Sequence, residues 1–513
     1  MDPLVAVVGA GPVGQTAALL LAGHGLNVAL LDKTPRRDLV GSKSICQQRD
    51  VLDIWTMLGA GDIAREGLTW TTARTYCRDR ELSSWSFTPN SGATPPFVNI
   101  SQSRTEQILD RQIARQPLVD VRRGAEVTRI DPRDDGALLR LVDGETLEAG
   151  YVLLCTGAAE RRLREQLGVT FDGHTHADKF LICDIRAHLP GRRHERHFHF
   201  DPAANPGRQI LIHPCPDDAY RIDWQVPPDY DPDADDLDAR IRRVVGDVDY
   251  QLLWSTVYRF HSRVADPMKT GRIFLAGDAA HLYAPFGARG LNSGVPDVEN
   301  AAWKIAAHAA GHAREALLDT NHAERRAAAL ENQAVVDATM DFLAPRTEAG
   351  RRRRADTLEA AAFDPVLAAG VDSGRFAEPY WYDASPLTTP DPARPCAGRP
   401  PKGRPQPPAP GVICPDVPLR DGDNLRTRAR GRFTLVAADG LDAAEWKAWT
   451  DRASPEVRIV ELRREAAPNA QVELGPGEMW LVRPDAHLAA TVPDAAVGDV
   501  DAALRRALGD PPT

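Results

Sequence analysis

A glycine-rich turn near the start of the chain restricts the fold more than any other feature of the sequence. Gly9, Gly11 and Gly14 follow the spacing G-x-G-x-x-G between an apolar run and an Ala/Leu-rich segment, and Asp32 ends the next apolar run. This order predicts strand, tight turn, helix and strand, the arrangement that binds a dinucleotide. Gly11 lets a pyrophosphate approach the backbone, and Asp32 is placed to accept hydrogen bonds from an adenosine ribose. The pattern alone does not distinguish NAD from FAD.

The composition is that of an ordinary globular protein with about three domains. The 513 residues include 62 Lys and Arg and 72 Asp and Glu, which gives a net charge of −10 at pH 7. Because nucleic-acid binding needs clustered Lys and Arg, and 351–354 is the only basic run, we expect no nucleic-acid partner. The seven cysteines are scattered without a C-x-x-C pair, so we expect neither a disulfide framework nor a metal site.

The first apolar stretch does not have the pattern of a targeting segment. Residues 3–31 contain no charged side chain except His24, but glycines interrupt the stretch and Asp2 precedes it. These features argue against a signal peptide or a membrane span. We therefore expect a cytoplasmic protein without a membrane partner.

A second motif, at 277–292, decides between the two dinucleotides. It follows a predicted strand and precedes a predicted helix. Asp278 can bind a polyol hydroxyl, while Gly287 and Gly290 allow a flat ring to lie against the backbone. Amide groups at the start of the helix can stabilise negative charge on a reduced flavin. The sequence therefore favours FAD.

The order of predicted elements indicates an α/β fold with an added β-sheet domain. Alternation of apolar and polar residues predicts an antiparallel substrate-binding sheet, whereas the hairpin at 125–142 is expected to extend the nucleotide domain's sheet. The predicted domains are a Rossmann-like FAD-binding domain at 1–175 with 265–345 returning to it, the substrate-binding sheet at 176–264, a helical segment at 346–387, a Pro-rich linker at 388–418, and a small α/β domain at 419–513.

These motifs together resemble those of the FAD-dependent aromatic hydroxylases, the group A flavoprotein monooxygenases related to p-hydroxybenzoate hydroxylase. Within that family the chain is most similar to the phenol and 3-(3-hydroxyphenyl)propionate hydroxylase branch. The resemblance covers nearly the whole chain, and its last part implies a thioredoxin-like C-terminal domain without C-x-x-C. It is carried by Gly9–Gly14 with Asp32, Ser101-Gln102 with Glu106, and the segments 205–209, 220–225, 277–292 and 480–485.

The resemblance also implies which residues hold the cofactor. They are expected around the adenosine half, the ribityl chain and the isoalloxazine of FAD. The expected set is Gly9, Gly11, Gly14, Asp32, Lys33, Lys43, Gln102, Val127, Asp278, Pro285, Gly287, Gly290, Leu291 and Asn292.

The implied reaction uses NADPH or NADH to reduce the flavin and O2 to form a flavin C4a-hydroperoxide, which hydroxylates an aromatic ring. One segment departs from the family pattern. Where the family usually has Asp-Gly at a strand end, this chain has Thr156-Gly157. The departure affects the expected site for the reductant more than the fold.

Residues that contact the substrate are predicted on the antiparallel sheet and on the segment before the second motif. His213, Tyr220, Trp224 and Tyr258 are the candidates, because His titrates near neutral pH and Tyr can relay a proton. His261 is a further one. Arg221 and Asp223, on the opposite face from Tyr220 and Trp224, are interpreted as a structural ion pair.

The leading hypothesis is a monooxygenase that hydroxylates a phenolic or other electron-rich aromatic compound. Two alternatives remain open: a flavin-dependent tailoring oxidase of a polycyclic natural product, and a flavin-binding protein without turnover, which Thr156 alone supports. The expected partners are a small aromatic substrate, O2 and NAD(P)H, and a homodimer is possible.

Overall fold

A computed structural model describes most of the chain. The described residues are 4–37, 41, 43–88, 94–158, 160–371, 374, 376–396, 398–399, 407–438, 443–453, 456–466, 474–475, 477–493 and 496–511. No helix among them is long and apolar enough to cross a membrane.

Strands and helices alternate in the first part of the chain, and long strands dominate the middle. In chain order the strands are β1 (Val5–Val8), β2 (Val28–Asp32), β3 (Cys46–Gln48), β4 (Thr72–Cys77), β5 (Arg80–Ser86), β6 (Phe97–Asn99), β7 (Val119–Arg123), β8 (Val127–Arg133), β9 (Gly136–Leu141), β10 (Thr146–Ala149), β11 (Tyr151–Leu154), β12 (Thr170–Ala187), β13 (Glu195–Phe200), β14 (Gln209–Cys215), β15 (Ala219–Val226), β16 (Tyr250–Asp266), β17 (Lys269–Thr270), β18 (Ile273–Leu275), β19 (His281–Leu282), β20 (Thr434–Ala437), β21 (Arg458–Glu461), β22 (Met479–Val482) and β23 (Leu488–Val492). The helices are α1 (Pro12–Gly23), α2 (Arg49–Met57), α3 (Asp62–Glu66), α4 (Gln102–Ile113), α5 (Arg161–Gln166), α6 (Leu237–Val245), α7 (Arg289–Ala309), α8 (Ala316–Leu343), α9 (Glu348–Ala361), α10 (Pro365–Gly370), α11 (Leu425–Arg428), α12 (Ala443–Thr450), α13 (Leu462–Glu465) and α14 (Val497–Ala507).

The predicted strand, turn, helix and strand at the start of the chain are confirmed. β1 lies in the middle of a six-stranded sheet in the order β17-β18-β11-β1-β2-β7, parallel to both β2 and β11. Every residue of β1 is buried, as expected for a central strand covered on both faces. Pro12 starts α1, where its missing amide proton costs no helical hydrogen bond.

The predicted extension of this sheet by the hairpin at 125–142 is wrong. β8 and β9 form the expected hairpin, but with β10 they make a separate three-stranded sheet. Val127, Ile130 and Leu139 project from this small sheet into the same core as Val8 and Leu31. The hairpin therefore covers one face of the six-stranded sheet, because its apolar side chains need burial that an edge position would not give.

The antiparallel sheet is larger than the predicted range 176–264. Its order is β19-β16-β12-β15-β14-β13-β4-β5, so it also contains two strands from the early part of the chain. β4 pairs in parallel with β13, and β12 begins before residue 176. The nucleotide and sheet domains are thus interleaved more than the sequence pattern indicates.

The C-terminal part is a four-stranded sheet in the order β21-β20-β22-β23. β20 is parallel to β21 and antiparallel to β22, which forms a hairpin with β23. The predicted small α/β domain is therefore confirmed, and its thioredoxin-like character stays a prediction. Described parts of the predicted linker lie against this sheet: the amide groups of Thr389 and Gly411 donate to the carbonyls of Ala489 and Leu488, at 2.7 Å each.

Buried charges join the C-terminal part to α7 and α8. Arg483 and Glu324 form a salt bridge at 2.6 Å, and Lys304 reaches the same carboxylate at 2.6 Å. Arg483 also pairs with Asp485 at 2.6 Å. The side chains of all four residues are at most 3% exposed. We call Lys304, Glu324, Arg483 and Asp485 the seam cluster.

Candidate functional site

Gly9, Gly11 and Gly14 have different surroundings in the first turn. Gly9 has φ +104°, and a Cβ atom there would lie 2.4 Å from the carbonyl oxygen of Cys155. A Cβ at Gly14 would lie 1.8 Å from the carbonyl oxygen of Gly9. A Cβ at Gly11 would meet no atom within 4 Å. Two glycines therefore close the turn against the protein, and the third leaves its backbone open to a ligand.

Asp32 lies at the end of β2 beside this turn. Its Oδ2 accepts a hydrogen bond from the Ala10 amide at 2.7 Å, and its Oδ1 accepts one from the Thr34 amide at 2.9 Å. Although burial favours the protonated form, hydrogen bonds from Thr34 and Ala10 hold the pKa of Asp32 below its usual value. The carboxylate is therefore ionised and held beside the glycine turn.

A cavity of about 460 Å³ extends from the glycine turn to the antiparallel sheet. Residues from both sequence motifs line it, which brings together segments more than 240 positions apart. The predicted cofactor residues on its wall are Gly9, Gly11, Asp32, Lys43, Gln102, Asp278, Pro285, Gly287, Gly290 and Leu291. Gly14 lies directly behind the turn, against Gly9.

Gln102 is held at the start of α4. Ser101 caps this helix by accepting a hydrogen bond from the Arg104 amide at 3.2 Å. The Gln102 Oε1 accepts a hydrogen bond from the Ser44 amide at 3.2 Å, and its Nε2 donates to Glu106 at 2.9 Å. This side chain thus ties the segment after β2 to α4 on the cavity wall.

The N-terminus of α7 also opens on the cavity. Ala288 precedes the helix with φ +55°, a conformation that costs a residue with a Cβ about 1 kcal/mol. Amide groups at a helix N-terminus and the helix dipole favour negative charge at this end. This end of the cavity therefore suits the electron-rich edge of a flat ring.

Besides Gly14, three predicted cofactor residues do not line the cavity. Lys33 is exposed on the surface beyond Asp32. Val127 is 3% exposed and points into the core beneath the hairpin sheet. Asn292 is buried and fastens β3 to α7, since its Oδ1 accepts from the Gln48 amide at 2.9 Å and its Nδ2 donates to the Cys46 carbonyl at 2.9 Å. Its side chain supports the wall without forming it.

The prediction that Tyr220 and Trp224 face the substrate is wrong. Both side chains are at most 2% exposed and pack on the far side of the sheet, in the core that α6 covers. The alternation along β15 was read correctly, but the cavity lies on the other face. Arg221 and Asp223 therefore reach the cavity, together with His213 of β14.

Tyr258 and His261 of β16 lie outside the cavity wall. Tyr258 pairs with Phe180 across β16 and β12 and packs in the same core as Phe286, but it does not line the cavity. His261 hydrogen-bonds with Thr175 at 2.9 Å and likewise lies outside the wall. Of the predicted substrate contacts, only His213 is on the wall.

The predicted pairing of Arg221 with Asp223 is also corrected. Arg221 forms a two-pronged salt bridge with Asp184, with both distances 2.8 Å. Asp223 lies near His213 instead, with 3.8 Å between Oδ2 and the His213 Nε2, and its buried Oδ1 has no hydrogen-bond partner among the described residues. Alternation alone could not show this, because the partner of Arg221 comes from β12.

Burial controls the charge of these groups. It raises the pKa of Asp223 to about 7, although Arg221 opposes the shift. Burial and the nearby Arg196 lower the pKa of His213 well below its ordinary value. At neutral pH His213 is therefore uncharged, and Asp223 exchanges readily between its acidic and ionised forms.

Thr156 and Gly157 line the cavity at the end of β11, where the family pattern has Asp-Gly. Arg164 of α5 lies behind them and donates to the carbonyls of Ala158 and Ala279, at 3.3 Å each. It connects the loop after β11 to the loop that carries Asp278. A hydroxyl therefore replaces a carboxylate on this wall, while an arginine still braces the loop.

The residues present fit FAD. The open backbone at Gly11, the ionised Asp32, the exposed Asp278 and the N-terminus of α7 follow one another along a single cavity. Fold and site together define a dinucleotide-binding protein whose cavity continues onto an antiparallel sheet. The family described as FAD binding domain matches residues 2–339, and that described as aromatic-ring hydroxylase, C-terminal, matches residues 407–511. The chain belongs to the FAD-binding aromatic-ring hydroxylase family of monooxygenases.

Relatives and solved structures agree with this assignment. A 3-(3-hydroxy-phenyl)propionate/3-hydroxycinnamic acid hydroxylase of Burkholderia vietnamiensis is 28% identical over 98% of this chain and 96% of its own length. One from Mycobacterium sp. (strain JLS) is 31% identical, over 63% of this chain and 57% of its own length. The fold matches the flavin-dependent monooxygenase PieE, solved with FAD and substrate, with a TM-score of 0.82 and 22% identity over 100% of both chains.

Proposed function

We propose that the protein is a monooxygenase that hydroxylates a phenolic or other electron-rich aromatic compound, using FAD, NADPH or NADH, and O2. The observation that carries the proposal is the single cavity that joins the dinucleotide turn to His213, Arg221 and Asp223 on the sheet. Bound FAD would supply the activation of O2 and the transfer of one oxygen atom.

The chain's own residues divide the work along the cavity. Gly11, Asp32, Asp278 and the first turn of α7 would hold the cofactor, and Gln102 would fix the segment beside it. Phe180, Ile182, Leu211, Phe260 and Phe286 add apolar side chains to the wall. Such a wall suits an aromatic ring and limits the access of water to the reacting atoms.

Asp223 is proposed to accept the proton of the substrate hydroxyl. Its side chain lies on the cavity wall and is 16% exposed, and its pKa of about 7 suits a base that works near neutral pH. His213 is uncharged and lies 3.8 Å from Asp223, beyond direct hydrogen-bond distance, so we propose that it positions the substrate beside the base. Deprotonation makes a phenol more electron-rich, which favours attack on an electrophilic oxygen.

The first test is anaerobic reduction of the purified holoprotein. NADH and NADPH are added separately, with and without a panel of phenolic acids, while the oxidised flavin band is followed. We expect bleaching that an aromatic substrate accelerates, and a product that is one oxygen atom heavier in the aerobic reaction. Turnover without oxygen gain would instead support the tailoring-oxidase alternative, and no bleaching under any condition would refute reduction by nicotinamide.

A Thr156→Asp variant separates the flavin-binding alternative from the proposal. If the missing carboxylate limits reduction, the variant should oxidise nicotinamide faster than the natural chain. If the natural chain already oxidises nicotinamide efficiently, the hypothesis of a flavin-binding protein without turnover is refuted. Light scattering on the same protein measures its oligomeric state, which the sequence leaves open between a monomer and a homodimer.

A further inference from the structure

Two histidines and an aspartate meet outside the cavity, between the antiparallel sheet and α8. His174 and His176 are two positions apart on β12 and therefore lie on the same face. The pairing of β12 with β16 shifts register between Thr175 and Lys179, beside these histidines. Asp337 of α8 completes the group, and one ligand atom from each residue lies within 4.8 Å of the other two.

The three side chains leave their nearest polar atoms unpaired. His174 Nε2, His176 Nε2 and Asp337 Oδ1 are each buried without a hydrogen-bond partner among the residues that the structure describes. His176 is 6% exposed as a whole residue. Buried polar atoms normally find partners, so three unpaired atoms that converge on one point indicate a missing ligand.

We propose that His174, His176 and Asp337 bind a divalent transition-metal ion of the zinc class. Imidazole nitrogen and carboxylate oxygen are ligands that Zn²⁺ accepts at about 2.0–2.2 Å, which places tetrahedral ligand atoms about 3.3 Å apart. His174 Nε2 and Asp337 Oδ1 are already 3.6 Å apart. Small side-chain rotations bring the third atom into range.

The chemistry of the ligand set suits a divalent cation. It combines two imidazoles with one carboxylate, a mixture of nitrogen and oxygen donors that zinc sites use. Asp341, one turn after Asp337 on α8, pairs with Arg346 at 3.4 Å and lies outside the ligand set. The ion would fasten the substrate-facing sheet to the helix that also carries Glu324 of the seam cluster.

The scattered cysteines have no ligand spacing, so the sequence alone predicts no metal site. The ligands proposed here are instead more than 150 positions apart, on a strand and a helix that only the fold brings together. The site lies outside the cavity wall, so this proposal does not depend on the proposed reaction.

The test is equilibrium dialysis of untagged, chelator-treated holoprotein against Zn²⁺, with metal measured by mass spectrometry. We expect one tightly bound equivalent and a higher midpoint of thermal unfolding with Zn²⁺ than without it. His176→Gln and Asp337→Asn should each weaken binding at least tenfold and abolish the thermal shift. His312→Gln, which changes an exposed histidine outside the group, should retain both.

Flavin content shows whether each variant folds. Asp337→Asn alters a partly exposed helix position and keeps the test valid if His176→Gln loses its flavin. The proposal is overturned if the natural chain takes up no stoichiometric Zn²⁺. It is equally overturned if flavin-loaded His176→Gln or Asp337→Asn binds Zn²⁺ as tightly as the natural chain, since the ion would then be held by cysteines or other surface groups.

Discussion

Replacement of Asp223 by Asn should make the protein more resistant to unfolding as the pH rises. Burial raises the pKa of Asp223 from 3.8 to about 7 in the folded protein, so the folded form binds a proton that the unfolded chain has already lost. Stability therefore falls as the pH rises between these two values and levels off above the higher one. From pH 5.5 to pH 8 the shift corresponds to about 2 kcal/mol lost by the natural chain and not by Asp223→Asn.

The assay is urea unfolding of both proteins at the two pH values, compared as a difference of differences. Asp217→Asn is the matched control, because Asp217 is exposed in the turn between β14 and β15, the strand that carries Asp223. It should follow the natural chain at both pH values. The same Asp223→Asn variant should lower kcat/KM at least about tenfold if the residue is the proposed base. An unchanged stability difference between pH 5.5 and pH 8 would refute the raised pKa, and with it this assignment of the base.

Three further predictions address the turn, the sheet and the domain seam. Gly11→Ala should fold normally but raise the Kd for FAD about tenfold, because the added methyl group meets only the ligand. Gly14→Ala should fail to fold, since its methyl group overlaps the Gly9 carbonyl. Flavin titration measures the first effect and circular dichroism the second. Trp224→Phe should leave KM within about twofold, because Trp224 lies in the core on the far side of the sheet. His213→Asn should lower kcat/KM about tenfold or more, because His213 lines the cavity. A larger kinetic effect of Trp224→Phe than of His213→Asn would contradict the assignment of the cavity to the His213 face of the sheet. Arg483→Met should lower the free energy of unfolding by about 3–5 kcal/mol, because it leaves two buried carboxylates without their arginine. Arg505→Met, which removes an exposed ion pair, should lower it by less than about 1 kcal/mol. Equal losses for the two variants in urea unfolding would contradict the role of burial.

The sequence predicts the cofactor half of the site better than the substrate half. The glycines and Asp32 belong to a local strand-turn-helix unit, so their spacing carries the geometry. The substrate wall depends on which side of β15 faces the cavity, and alternation shows only which residues share a side. Tyr220 and Trp224 were favoured for their chemistry, yet their size and apolar surface place them in the core.

The ion pair predicted between Arg221 and Asp223 shows why charged residues are difficult to pair from sequence alone. Two opposite charges on one strand face suggest a pair, but Asp184 of another strand supplies the real partner of Arg221. Val127 was misplaced for a related reason, because β8 belongs to a separate sheet that pairing rules do not reveal. Both errors arise from contacts between distant segments.

The seam cluster limits how this protein can be recombined. Arg483 and Asp485 come from the C-terminal part, while Lys304 and Glu324 come from the helices behind the flavin cavity. A chimera that takes the C-terminal domain from a relative would inherit half of a buried ionic lattice, and unmatched charges there cannot be rescued by solvent. Successful domain exchange would therefore require α7 and α8 to be transplanted together with the C-terminal domain.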